Sequence, residues 1–181
     1  MSEIADALDA CIAEVDAARV HLVGHSLGGI AILRCLERHP GQPPGRVVFM
    51  GTPSLASRAA NALGRFRLGR ALLGQAAGEE LLYAHERRWA HERDLGIIAG
   101  NQPLSLGRLM VGFNEANDGT VAVSETRLPG AREHLVLPVS HTGMLLSARV
   151  AYEVGQFLEH GHFGSRPGAP DAPDPSAPVR V

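Results

Sequence analysis

A chain of 181 residues has room for one domain with a sizeable core. Its 45% hydrophobic and 20% charged residues place it among ordinary globular proteins, and a net charge of −2 excludes general attraction to nucleic acid or an anionic membrane. Two cysteines, Cys11 and Cys35, are too few for a disulfide framework, and no apolar run reaches membrane-spanning length. Residues 1–20 carry acids throughout and no continuous apolar core, so no secretory signal is read and a cytoplasmic location is the expectation.

Residues 2–17 read as an amphipathic helix. Ser2 stands as N-cap, and Ile4, Leu8, Cys11, Ile12 and Val15 recur at helical spacing with acids opposite. Both cysteines fall in helix-like runs and are expected as small buried apolar groups. The apolar run 19–23 then reads as a strand that enters Gly24-His25-Ser26-Leu27-Gly28-Gly29. A periodic apolar run from Ile30 leaves it as a helix to about residue 38, stopped by Pro40 and the loop 41–45. This is a G-x-S-x-G pattern between strand and helix. A serine at so sharp a turn adopts a strained backbone, with Gly24 and Gly28 expected to let neighbouring backbone approach. The turn pushes the Ser26 hydroxyl out at the sheet's end and aims the Leu27 N–H, at a helix N-terminus, toward an oxyanion. The plainer alternative is a glycine-rich turn with an incidental serine.

Residues 46–51 form a short apolar run suited to a strand buried on both faces, followed by Thr52-Pro53. Residues 54–93 turn rich in Ala, Leu, Arg and Gly at helical spacing, either an excursion over the site or a helix pair packed on the sheet. His85, Trp89 and His91 within it lack the i, i+4 spacing of helix-borne metal ligands and read as a solvated face. Another strand is expected at 95–99, then a long connection to residue 117. Asp118 stands in Asn-Asp-Gly, itself a turn formula, and residues 121–124 read as a short turn or strand. His141 directly follows a strand candidate at 134–139, and residues 142–159 read as one amphipathic helix. His160 and His162 flank its glycine end. The chain order Ser26, Asp118, His141, with acid and histidine in loops beyond strand ends, is that of a serine nucleophile with its orienter and base.

The stretches G-H-S-L-G-G, V-F-M-G-T-P, G-I-I-A-G-N, N-D-G-T-V-A-V and V-S-H-T-G-M-L together resemble the α/β-hydrolase superfamily, and bacterial lipase- and esterase-like proteins within it. The resemblance covers residues 1–163. It implies Ser26 as nucleophile, Asp118 as acid and His141 as base. The apolar runs themselves read as an α/β fold of three layers on a mostly parallel sheet of about four strands. The implied activity is hydrolysis of a small-molecule ester or lipid, with no cofactor or metal. One departure stands out. The leading strands and the H-G-type loop that gives a second oxyanion N–H have no counterpart before Gly24, so an N-terminally truncated hydrolase fold is expected. Its first strand would then keep an open edge, a place for self-association. The alternative function is a non-catalytic domain of this fold that binds a partner.

Residues 164–181 are Pro, Ala, Asp and Gly with almost no large apolar side chain, too little to offset the entropy of ordering, and are expected to be disordered. A chain ending at Phe163 should therefore keep the parent's melting temperature; a drop of several degrees in a thermal melt would show that the tail packs on the domain.

Overall fold

The computed structural model describes residues 2–54, 88–103 and 115–164. Among these residues four strands, β1 (Leu22–His25), β2 (Val47–Met50), β3 (Leu95–Gly100) and β4 (Glu133–Leu137), form one sheet in the order β1-β2-β3-β4. All three pairings are parallel. Among the described residues three α-helices accompany them: α1 (Ser2–Ala13), α2 (Leu27–Arg38) and α3 (Ala148–His160).

Apolar runs become central strands because both faces are covered. Every residue of β2 and β3 is buried. On one face Val47, Phe49, Leu95 and Ile97 pack with Ile32, Leu33 and Leu36 of α2 and with Ala5 and Ile12 of α1. On the other, Val48, Met50 and Ile98 pack with Val150 and Phe157 of α3. Alternation along the strands thus feeds two separate cores, and the result is a three-layer α/β fold. Gly96 on the α3 face makes room for the Phe157 ring, which a Cβ there would approach to 2.8 Å.

The helices depart from the sequence reading in three places. The first is α1, which ends at Ala13 and packs on α2 through the narrow stripe Ala5, Leu8 and Ile12. Ile4, Cys11 and Val15, on its flanks or beyond its end, are exposed, so of the two cysteines only Cys35 is buried. The second is the helix expected over 142–159, which is two pieces. A 3₁₀ turn, Gly143–Leu146, is separated from α3 by Ser147, whose extended backbone (φ −84°, ψ 116°) lets its hydroxyl cap the Val150 N–H at 3.3 Å.

The third is the excursion read over 54–93, of which residues 55–87, with His85, lie outside the described residues. Its last part, residues 88–93, is not helical, and Trp89 is core rather than solvated face. Its ring meets Phe49 edge-on at 5.8 Å, and its indole N–H donates to the Arg93 carbonyl at 2.6 Å. The Arg93 guanidinium in turn donates to the carbonyls of Val20 and Pro43, fastening the entries of β1 and β2.

Helix α3 ends on Gly161 in the left-handed region (φ 79°), its N–H returning to the Phe157 carbonyl at 2.8 Å. Arg46, just before β2, donates to the Leu158 and Glu159 carbonyls at that end. Among the described residues, β1 pairs only with β2; its other edge carries no strand, and Val23 on it is 42% exposed. No helix among the described residues is long and apolar enough to cross a membrane.

The short element after Asp118 is a 3₁₀ turn, Val123–Thr126, preceded by a bridge between Asn117 and Ala122. Thr126 donates its hydroxyl to Val123, so the nearby His134 Nε2, at 2.8 Å, must donate to Thr126. Burial, with Arg127 adding to it, pushes His134 down to about 4 from an ordinary value of 6.5. The unfolded chain takes up that proton near pH 6.5 and the folded chain refuses it until about pH 4. Stability should fall as pH drops through that window. Urea melts at pH 7 and 4.5 should show a smaller acid loss for His134→Gln than for the parent; equal losses would remove His134 as the cause.

Candidate active site

The site lies at the C-terminal ends of the parallel strands, where loops meet beyond the sheet. Ser26 joins β1 directly to α2 with φ 54° and ψ −123°, the one non-glycine residue of positive φ among the described residues. Such a conformation costs on the order of 1–3 kcal/mol and persists only when its surroundings over-determine it. Here the Ser26 N–H donates to the Met50 carbonyl at 2.8 Å, and its carbonyl accepts from Gly29 at 3.2 Å. Gly24 allows the close approach, since a Cβ there would lie 2.7 Å from Gly28 C and Gly29 Cα. The partner in crowding differs from the sequence reading. A Cβ at Gly28 would meet open space, whereas one at Gly29 would overlap the Thr52 side chain. Leu27 opens α2, so its N–H belongs to the first turn, which has no intrahelical acceptor.

Asp118 is 2% exposed. Its Oδ1 accepts from the N–H groups of Thr120 (2.8 Å) and Val121 (2.7 Å), and Asn117 Oδ1 accepts from Gly119 at 2.9 Å. The turn reading and the acid reading of Asn-Asp-Gly therefore describe one object: the turn consumes one carboxylate oxygen and aims the other. That other oxygen, Oδ2, lies 2.7 Å from His141 Nδ1. A carboxylate only accepts, so His141 carries its proton on Nδ1 and leaves Nε2 as an acceptor. The main chain repeats the link, the His141 N–H donating to the Asp118 carbonyl at 2.9 Å.

Three further residues shape this pair, and sequence reasoning gave none of them that role. Gly51, directly after β2, has φ 56°, and a Cβ on it would stand 3.0 Å from His141 Nδ1 and 3.1 Å from Asp118 Oδ2. Gly100 closes β3, where a Cβ would come within 2.8 Å of Asp118 Cβ. The only signal in the sequence is a glycine at the end of each apolar run. The third is His25, whose Nε2 lies 2.9 Å from the His141 carbonyl and whose ring centroid is 4.6 Å from that of His141. Burial, and next the neighbouring His141, hold the His25 imidazole below its ordinary range.

Asp118 and His141 are thus in direct contact, and His25 brings the Ser26 turn against them. The Ser26 hydroxyl makes no hydrogen bond among the described residues. Such bonds are commonly long in the absence of substrate. A cavity of about 570 Å³, lined by residues including Leu36, His39, Gln42 and Arg93, lies at the opposite, N-terminal end of the strands, away from Ser26.

No protein-family model matches the sequence, and no curated protein matches it. Solved structures do. The lipase BlEst2 of Bacillus licheniformis in its mature form superposes with a TM-score of 0.66 at 21% identity, over 87% of this chain and 73% of that one. The same lipase in its propeptide form gives a TM-score of 0.60 at 19% identity, over 94% of this chain and 42% of the other. The chain shares the fold of a lipase. At such identities the likeness is one of fold, and the chemistry has to be argued from the residues.

Gly51→Ala puts a methyl group at a left-handed φ and against both members of the Asp118–His141 pair. It should cost about 1–2 kcal/mol from the backbone alone. Urea denaturation measures this, and an Ala variant as stable as the parent would show that the turn relaxes freely.

Proposed function

We propose that the chain is a serine hydrolase that cleaves carboxylic esters, with Ser26 as nucleophile, His141 as base and Asp118 as orienter. The observation that carries this is the Asp118–His141 pair, whose bare Nε2 stands at the same sheet end as the strained Ser26 turn. In the proposed reaction Ser26 Oγ attacks the ester carbonyl carbon while His141 Nε2 takes its proton. The negative charge that forms on the carbonyl oxygen is met by the Leu27 N–H. His141 then gives the proton to the leaving alcohol, and the C–O bond breaks to leave an acyl-serine. Water repeats the cycle, losing a proton to His141 as it attacks the acyl carbon and releasing the acid with Ser26 restored. Throughout, Asp118 keeps the imidazole in the Nδ1–H tautomer and stabilises the imidazolium between transfers. A small-molecule ester or lipid is the proposed substrate, in keeping with the lipase fold.

One observation favours a second reading, a non-catalytic binding domain of the same fold: the Ser26 hydroxyl has no hydrogen-bond partner among the described residues. Labelling by a fluorophosphonate probe separates the two, because it requires an activated serine and little substrate recognition. Label on Ser26, lost in Ser26→Ala and His141→Ala, is the expected result; an unlabelled chain would favour the binding domain. Against a short activated ester, each of these variants should lose on the order of 10⁶ in turnover, and the double variant little more. Asp118→Asn should lose roughly 10⁴ by favouring the wrong tautomer. Independent, additive losses would mean that the three do not act as a unit.

A further inference from the structure

The hydrogen bonds that hold His141 run in two directions. Its main-chain N–H and its Nδ1–H both end on Asp118. Its carbonyl is held from the other side by His25 at 2.9 Å. A carbonyl only accepts, so the His25 proton sits on Nε2. Among the described residues this is the one hydrogen bond joining residues 22–38, which carry Ser26, to residues 133–147, which carry His141.

We propose that His25 is the positioning residue of the site: its Nε2–H, one peptide away from Ser26, fixes the main chain of His141 and sets where the His141 imidazole stands relative to the serine. This rests on Ser26 and His141 being nucleophile and base. Strand β4 ends at Leu137, so His141 stands on a loop, four residues beyond the sheet. Asp118 fixes the tautomer and the main-chain N–H of His141. The loop is also held on its own side of the sheet, Val139 accepting from the Gln102 N–H at 3.3 Å and Ser140 from the Met144 N–H at 3.0 Å, but none of these bonds reaches the segment that carries Ser26. The His25 bond supplies that link. Ring contact at 4.6 Å adds to it, and the Gly51 backbone limits the imidazole's movement elsewhere. The neutral state of His25 matters as well. A second cation at that distance would oppose the imidazolium that His141 must become, and burial and His141 itself keep His25 from charging, outweighing the opposite pull of Asp118 and of the hydrogen bond.

Two amide variants test the proposal. His25→Gln places an N–H at about the reach of Nε2, whereas His25→Asn carries the same group but falls short of the carbonyl. Gln should keep turnover within about threefold of the parent. Asn should lower kcat about 10- to 100-fold with KM changed less than about twofold, the signature of a displaced base rather than lost binding. The downfield proton resonance of the His141 Nδ1–H, shared with Asp118, gives a readout independent of turnover. It should persist in the parent and Gln and be shifted or lost in Asn. Equal behaviour of Gln and Asn, whether both are active or both impaired, would overturn the positioning role. A parent that takes no fluorophosphonate, yet loses the resonance only in Asn, would overturn the hydrolase reading and support the positioning.

Discussion

A carboxylate as deeply buried as that of Asp118 needs its charge met on every side, because an unpaired buried charge costs several kcal/mol. The C-terminal end of the sheet is arranged around that requirement. Two amides of Asp118's own turn satisfy one oxygen and His141 satisfies the other. The pairing needs space, which is why glycine follows β2 directly and ends β3. It also needs the strand ends at a common level, which the parallel register of β2, β3 and β4 supplies. Remove the pair and the glycines, the turn and the loop after β4 lose their common purpose.

Against this rigid pair the Ser26 turn is a strained element held by main-chain bonds. Its positive φ is maintained by the Met50 carbonyl on one side and the first turn of α2 on the other. Strain of this kind is stable only where the scaffold is stiffer than the turn. The doubly covered β2 is such a scaffold, with all of its residues buried. The same strand therefore shapes both halves of the site: Met50 holds the serine turn, and the next residue, Gly51, clears room for Asp118 and His141.

Much of the fold was legible in the sequence because apolar runs bounded by glycine and proline report directly on burial. The strands around Val48, Ile97 and Leu135 and the helix after Ser26 all stand within a few residues of their expected positions. The serine, acid and histidine positions were legible as a chain order, and the structure brings Asp118 and His141 together. What stayed hidden depends on partners distant in sequence. The stripe of α1 could not be narrowed from periodicity, because Ile4 and Cys11 are as apolar as Ala5; only the packing of α2 against it selects which stripe is buried. Trp89 looked like part of a helix face because nothing local indicates that Phe49 will meet it. The link between His25 and His141 spans 116 positions, beyond the reach of any local pattern.

The crowded glycines carry a consequence for reading substitution tolerance. At Gly24, Gly29 and Gly100 a single added carbon would collide with backbone or with a neighbouring side chain, and at Gly51 it would crowd the Asp118–His141 pair at a positive φ, although none of these residues has a reactive atom. A survey of every single-residue replacement would give them the same intolerance as Ser26 or His141. Intolerance alone would then draw the site too large, mixing residues that do chemistry with residues that keep a volume empty. Replacement by alanine and by larger side chains would sort them: a chemical role fails at the first atom removed, and a spatial one at the first atom added.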